Sequence, residues 1–280
     1  MAHRSRLADR VKTPIRRQVI RLFNDVDRGE APVQRSDQAL FHPDSVIWRV
    51  HGDVGSMMVG GVASLLMQML HPAVLAGVWD HSNFRADMHG RLRRTARFIA
   101  KTTYADRAIA QAAIDHVRAI HGRVTGRLPD GTPYRADDPA LLAWVHVTET
   151  TSFLAAWVRY GEPLMSAADK DRYVADMAVI GEAMGADPLP RTLAQARGII
   201  QAMRPALRAD ARTIEVARLV LGRPSLRARD LPQRLAMEAA IDLLPDWAQR
   251  MHGLSTSAIE RPLVRAGTFG VAQTLRWAFR

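Results

Sequence analysis

Along most of the chain apolar residues recur every three or four positions, and the strict alternation that marks a half-buried strand is nearly absent. The pattern predicts an all-α fold. The first 25 or so residues read as a basic amphipathic helix with Val11, Ile15, Val19 and Leu22 on one side, suited to docking on the body of the protein or on a membrane surface. A connector containing Pro and Gly follows, from Gly29 to Asp44. Gly55 to Val78 is long and apolar, but Gln68, His71 and Pro72 sit towards its middle. A buried core helix ending near His71 is therefore expected rather than a membrane span.

From Arg91 to Thr102 apolar residues and arginines alternate at helical spacing. A second amphipathic helix is predicted over Thr103 to Val124, where Ala110, Ala113, Ile114, Val117, His121 and Val124 form one stripe that puts His121 on the buried face. The Gly/Pro/Asp-rich run GRLPDGTPYRADDP predicts a turn or short hairpin. Asp138 followed by Pro139 is a cap and first-turn pair for a long helix through Trp144, His146, Phe153 and Tyr160. Beyond Asp187, prolines at 188, 190, 205, 224, 232 and 245 divide the remainder into short helices. The expected organisation is an N-terminal segment with its connector over 1–42, a helical domain over 43–254 and a C-terminal helical tail over 255–280.

With 280 residues and 48 % hydrophobic content the chain can bury a large core. The absence of cysteine excludes disulfides, thiolate haem ligation, iron–sulfur clusters and a cysteine nucleophile, so any metal must rest on histidine or oxygen ligands. Net charge is +11, yet the arginines are scattered, aromatics are only 6 %, and no nucleic-acid-binding motif is present. Nucleic acid is thus not expected as a partner, whereas weak peripheral contact with a membrane is compatible with the basic first helix. The N-terminus has positive charge but no uninterrupted apolar core or cleavage site of a signal peptide, so the expected location is cytoplasmic. The pattern leaves the oligomeric state open.

Three constellations could carry chemistry. In RLRRT, residues 91–95, spacing places Arg91, Arg94 and Thr95 on one side of a helix, a cluster suited to an anionic group or to a solvated face. About one helix later VRAIH ends on His121, which is either a satisfied core histidine or a neutral imidazole fit to bind iron. In WVHVTE, His146 and Glu149 lie three apart, the reverse of the Glu-x-x-His order that carboxylate-bridged di-iron bundles use, and without a second copy. Finally His71 and His81 flank a proline-led helix, where they could meet a metal or cap the helix.

The segments WRVHGD (48–53), GGVASLLMQMLHPAVLAGV (60–78), HSNF (81–84), RLRRT, VRAIHGRVTG (117–126) and LLPDWAQRMHGL (243–254) together resemble the family of latex-clearing rubber oxygenases and fungal MpaB-type oxygenases. The resemblance implies a globin-like helical core with additional helices around non-covalent haem b, and O₂-dependent cleavage of isoprenoid double bonds. By motif, His121 resembles the axial ligand with Arg118 one turn before it. Arg91 and Thr95 resemble the haem-pocket pair, and Arg94 stands where rubber oxygenases can place a distal lysine. A guanidinium is a poor iron ligand, so the lysine-capped state is not expected here. Rubber-cleaving members carry an acidic residue upstream of the arginine motif, near which this chain has Asp80 and Asp87. These departures direct the expectation to an apolar, alkene-bearing small molecule rather than a polymer. A non-catalytic haem- or lipid-binding role is the alternative, since the motifs alone do not separate turnover from binding.

Overall fold

The computed structural model describes residues 2–222, 230–255, 257 and 259–279. Among them are thirteen α-helices and one two-stranded hairpin, so the all-α reading holds.

The centre is a pair of helices, α3 (Val54–Gln68) and α7 (Pro139–Tyr160). Both are buried over most of their length, as helices apolar on nearly every side must be. Their close approach depends on Gly60: a β-carbon there would stand 2.9 Å from the backbone of Phe153 and 3.0 Å from the Ser152 carbonyl. Asp53 caps α3 by accepting from the Ser56 amide, and Asp138 caps α7 by accepting from the amides of Ala140 and Leu141. Trp144 on α7 is fully buried and donates its indole N–H to the Gln68 carbonyl at 3.3 Å.

The apolar stretch 55–78 is broken as expected. After α3 the chain turns through 104° into α4 (Pro72–His81), and no single helix among the described residues is long and apolar enough to cross a membrane. His71 caps α4, its Nδ1 accepting from the Ala73 amide at 3.3 Å. Around the central pair lie α2 (Val46–His51), α5 (Met88–Tyr104), α6 (Arg107–His121), α8 (Ala167–Met184), α9 (Leu193–Met203), α10 (Ala211–Leu221), α11 (Leu231–Leu243) and α12 (Asp246–His252). α1 (Ala2–Phe23) packs on α13 (Glu260–Phe279) and on α5.

Three expectations need correction. The helix expected from Thr103 begins at Arg107, because Ala105 is extended and Asp106 caps the new helix through the Ala108 amide, ending α5 at Tyr104. The stripe on α1 is only partly used: Ile15 and Val19 are half-buried, but Val11 and Leu22 face solvent. The last helix is not short, since its one proline, Pro262, falls in its first turn, where the missing N–H costs no helical bond. Pro224 lies outside the described residues. The hairpin is present as β1 (Thr125–Arg127) paired antiparallel with β2 (Pro133–Arg135).

Ion pairs to two buried carboxylates fix the C-terminal helix. The Asp242 carboxylate, almost fully buried on α11, accepts from Arg159 of α7 at 2.8 Å and from Arg265 of α13 at 2.8 Å and 3.1 Å. Arg276 bonds the Asp53 carboxylate and the Tyr160 carbonyl, joining α13 to the start of α3 and the end of α7.

Candidate functional site

His121 is the last residue of α6, and the stripe that carries it faces inward: Ala110 and Ile114 are buried, Ala113, Val117 and His121 half-buried. Its buried Nδ1 has no hydrogen-bond partner among the described residues. Desolvation pulls its pKa below the usual imidazole value; nearby Asp137 opposes this and Arg91 reinforces it. The ring is therefore neutral near pH 7, although a helix C-terminus by itself favours the charged form.

Arg91 belongs to the first turn of α5, a helix started by the Asp87 side chain accepting from the Gly90 amide. Its guanidinium is half-buried and donates to Ser82 Oγ at 2.9 Å, and among the described residues it pairs with no carboxylate. Desolvation, then the charge of Arg94, lowers its pKa. A guanidinium so placed lacks the anion that would offset its loss of water. Arg94 and Thr95 are instead exposed. Arg94 pairs with Asp87 at 3.4 Å, and the Thr95 hydroxyl donates back to the Arg91 carbonyl at 3.3 Å. Asp80, the other upstream carboxylate, accepts from the Tyr134 hydroxyl at 2.8 Å.

A cavity of about 490 Å³ opens beside the end of α6. Arg118 and His121 line one side, Asp137 and Leu142 at the start of α7 a second, and Met184 at the end of α8 a third. Its size lies within the range of small-molecule pockets, roughly 300–1,000 Å³. Arg91 does not line this cavity.

The other histidines are placed apart. His71 is occupied as the cap of α4, and burial lowers its pKa against the opposing charge of Asp138. His146 faces α8, where a β-carbon on Gly181 would come within 2.9 Å of its ring. Burial holds its pKa at about 4, and its Nε2 has no partner among the described residues. Glu149 keeps some accessible surface, yet protein surrounds it closely enough for desolvation to dominate, raising its pKa to about 7 against a hydrogen bond from Gln68. No group of three or more His, Asp or Glu side chains that could hold a metal occurs among the described residues. His146 and Glu149 thus have no third ligand.

A polar chain that the sequence reading did not single out runs through His51, inside the WRVHGD segment. The Thr103 hydroxyl donates to the Ile99 carbonyl at 2.7 Å, so it must accept from His51 Nδ1–H at 2.8 Å. The Nε2 of His51 then accepts from the Tyr173 hydroxyl at 3.0 Å. Burial keeps this ring neutral, with a pKa of about 3. The available signal was a histidine at the end of a short apolar helix; its partners are 52 and 122 residues away.

No curated protein and no solved structure matches the chain. One protein family does, described as ER-bound oxygenase mpaB/B'/Rubber oxygenase, catalytic domain, over residues 48–277, from α2 almost to the end of α13. The segments quoted above are thus successive parts of one oxygenase fold, and the chain belongs to the mpaB and rubber oxygenase catalytic-domain family.

Proposed function

We propose that the protein is a haem b-dependent oxygenase acting on an apolar, alkene-bearing small molecule of isoprenoid or lipid type. The observation that carries this reading is a neutral, inward-facing His121 whose buried Nδ1 has no partner, close to a half-buried Arg91 without a carboxylate. Family membership supports the oxygenase class, and these two side chains fit the group that class implies.

An imidazole kept neutral offers a lone pair to iron, and desolvation keeps it available at physiological pH. Arg91 would meet a propionate carboxylate and gain the anion it lacks. Arg118 offers a second cation beside His121, while Leu142 and Met184 provide an apolar wall for substrate. Bound haem would supply the iron centre at which dioxygen is activated, and the protein would contribute position, polarity and exclusion of water. Thr95 would take part only if its hydroxyl gave up its bond to the Arg91 carbonyl.

The test is an absorption spectrum of protein titrated with haem, before and after dithionite, beside His121→Ala. The expected result is a Soret band in the parent that the variant loses while keeping its far-UV circular dichroism. Featureless spectra in both would refute the proposal. Oxygen uptake by the reduced, loaded protein on adding an isoprenoid alkene then reads turnover; a spectrum without uptake would assign a ligand-binding role.

A further inference from the structure

α13 presents two unlike faces. Val264, Thr268 and Ala272 point into the protein and are buried, and the ion pairs of Arg265 and Arg276 hold the helix in place. On the opposite face Leu263, Ala266, Gly270, Gln273 and Trp277 follow one another at intervals of three and four, all exposed, with Phe269 beside them and Ile259 one turn before. Ile259 is 84 % exposed, Leu263 71 %, Trp277 42 % and Phe269 41 %. Large apolar side chains gathered on one helix face differ from scattered surface leucines and mark an interaction surface.

α1 lies alongside. Lys12 stands 5.1 Å from the ring centre of Trp277, and Arg16 bonds the Ala278 carbonyl. The outer side of α1 exposes Arg10, Arg17 and Arg21, with Val11 and Leu22 exposed on its flank, and those three arginines pair with no carboxylate among the described residues. Seven basic residues stand on this helix against the single acid Asp9.

We propose that α1 and the outer face of α13 form a docking surface for an anionic lipid bilayer. The apolar stripe enters the headgroup boundary, Trp277 takes the interfacial position its amphipathic ring favours, and the unpaired arginines of α1 meet lipid phosphates. Charge selects this occupant over a second copy of the chain, because a symmetric pair seated on the same face would bring two sets of unpaired arginines together. The mode is in-plane, since neither helix is apolar enough to span. The surface uses none of the residues placed around His121, so it stands independently of the haem reading.

The test is co-sedimentation of the full chain with phosphatidylcholine vesicles, alone or with phosphatidylglycerol, at low and high salt. Binding is expected only to the anionic vesicles and is expected to weaken at high salt. Arg10→Gln/Arg17→Gln/Arg21→Gln should weaken it by about fivefold per arginine, roughly a hundredfold in all. Leu263→Ser/Phe269→Ser/Trp277→Ser should abolish it while leaving the circular dichroism of this exposed face unchanged. Failure to pellet at low salt, equal binding to neutral vesicles, or unaltered binding by either variant would overturn the assignment. So would sedimentation velocity showing a dimer that Leu263→Ser dissolves, which would give the stripe to a second copy.

Discussion

Glu149 is a carboxyl on a helix packed face to face with another helix, and Gln68 is the side chain that bonds it. Desolvation raises its pKa from 4.5 to about 7. The unfolded chain releases this proton near 4.5 while the folded chain keeps it, so its contribution to stability is fully present below 4.5 and is lost as pH rises through 7. The effect is on the order of 3 kcal/mol. Glu149→Gln keeps the shape and removes the titration, so its stability relative to the parent should increase between mildly acidic and mildly alkaline pH. Urea unfolding at the two ends checks this, and a constant difference would mean that Glu149 ionises as an ordinary surface carboxyl. At this scale the sequence was legible for His121, whose helical stripe predicted an inward ring. It was silent on the partners of Glu149 and on the His51 chain, because contacts across helices depend on side chains tens of residues apart.

Helix starts were the most legible elements, because the cap is a local event. Asp138 and Pro139 announced α7, and the structure places the Asp138 carboxylate on the two amides that need an acceptor. Asp138→Ala should therefore lower stability by about 1 kcal/mol, read as a lower urea midpoint. The division between α5 and α6 was legible but was expected at Thr103, because the apolar period runs on past it; the Asp106 cap, which sets the true start at Arg107, does not interrupt the stripe. The attachment of α13 was likewise illegible. Nothing near Asp242 in sequence indicates that it will be enclosed by Arg159, Arg261 and Arg265. Replacing Asp242 by Ala leaves these cations without their anion. Since the arginines keep some water, the expected loss is about 3 kcal/mol, the low end for a broken buried pair. Equilibrium unfolding of Asp242→Ala measures it, and a loss below about 1 kcal/mol would mean that water replaces the carboxylate without penalty.

Across the whole molecule the titratable groups that folding perturbs most consistently are imidazoles. His51, His71, His121, His146 and His252 all have pKa values lowered chiefly by desolvation, with His51 at about 3 and His146 at about 4. In each case the folded value lies below the ordinary 6.5, so the stability these groups contribute is present above 6.5 and is lost as pH falls from there through the folded values. Below 6.5 the unfolded chain takes up protons that the folded chain refuses, at about 1.4 kcal/mol per pH unit for each fully differing proton. Glu149 acts in the opposite direction over part of the same range, but it holds a single proton against several. The histidines therefore win, and the net charge of +11 adds self-repulsion once surface carboxylates begin to neutralise. The urea midpoint should fall steadily from neutral pH towards pH 5, and His51→Gln, which cannot take up a proton in either state, should show a shallower fall than the parent. A midpoint unchanged over that interval would mean that the buried rings titrate as they do in water. If haem rests on His121 as proposed, the same protonation would take away the imidazole lone pair it needs, so acid pH should release added haem and loosen the fold together.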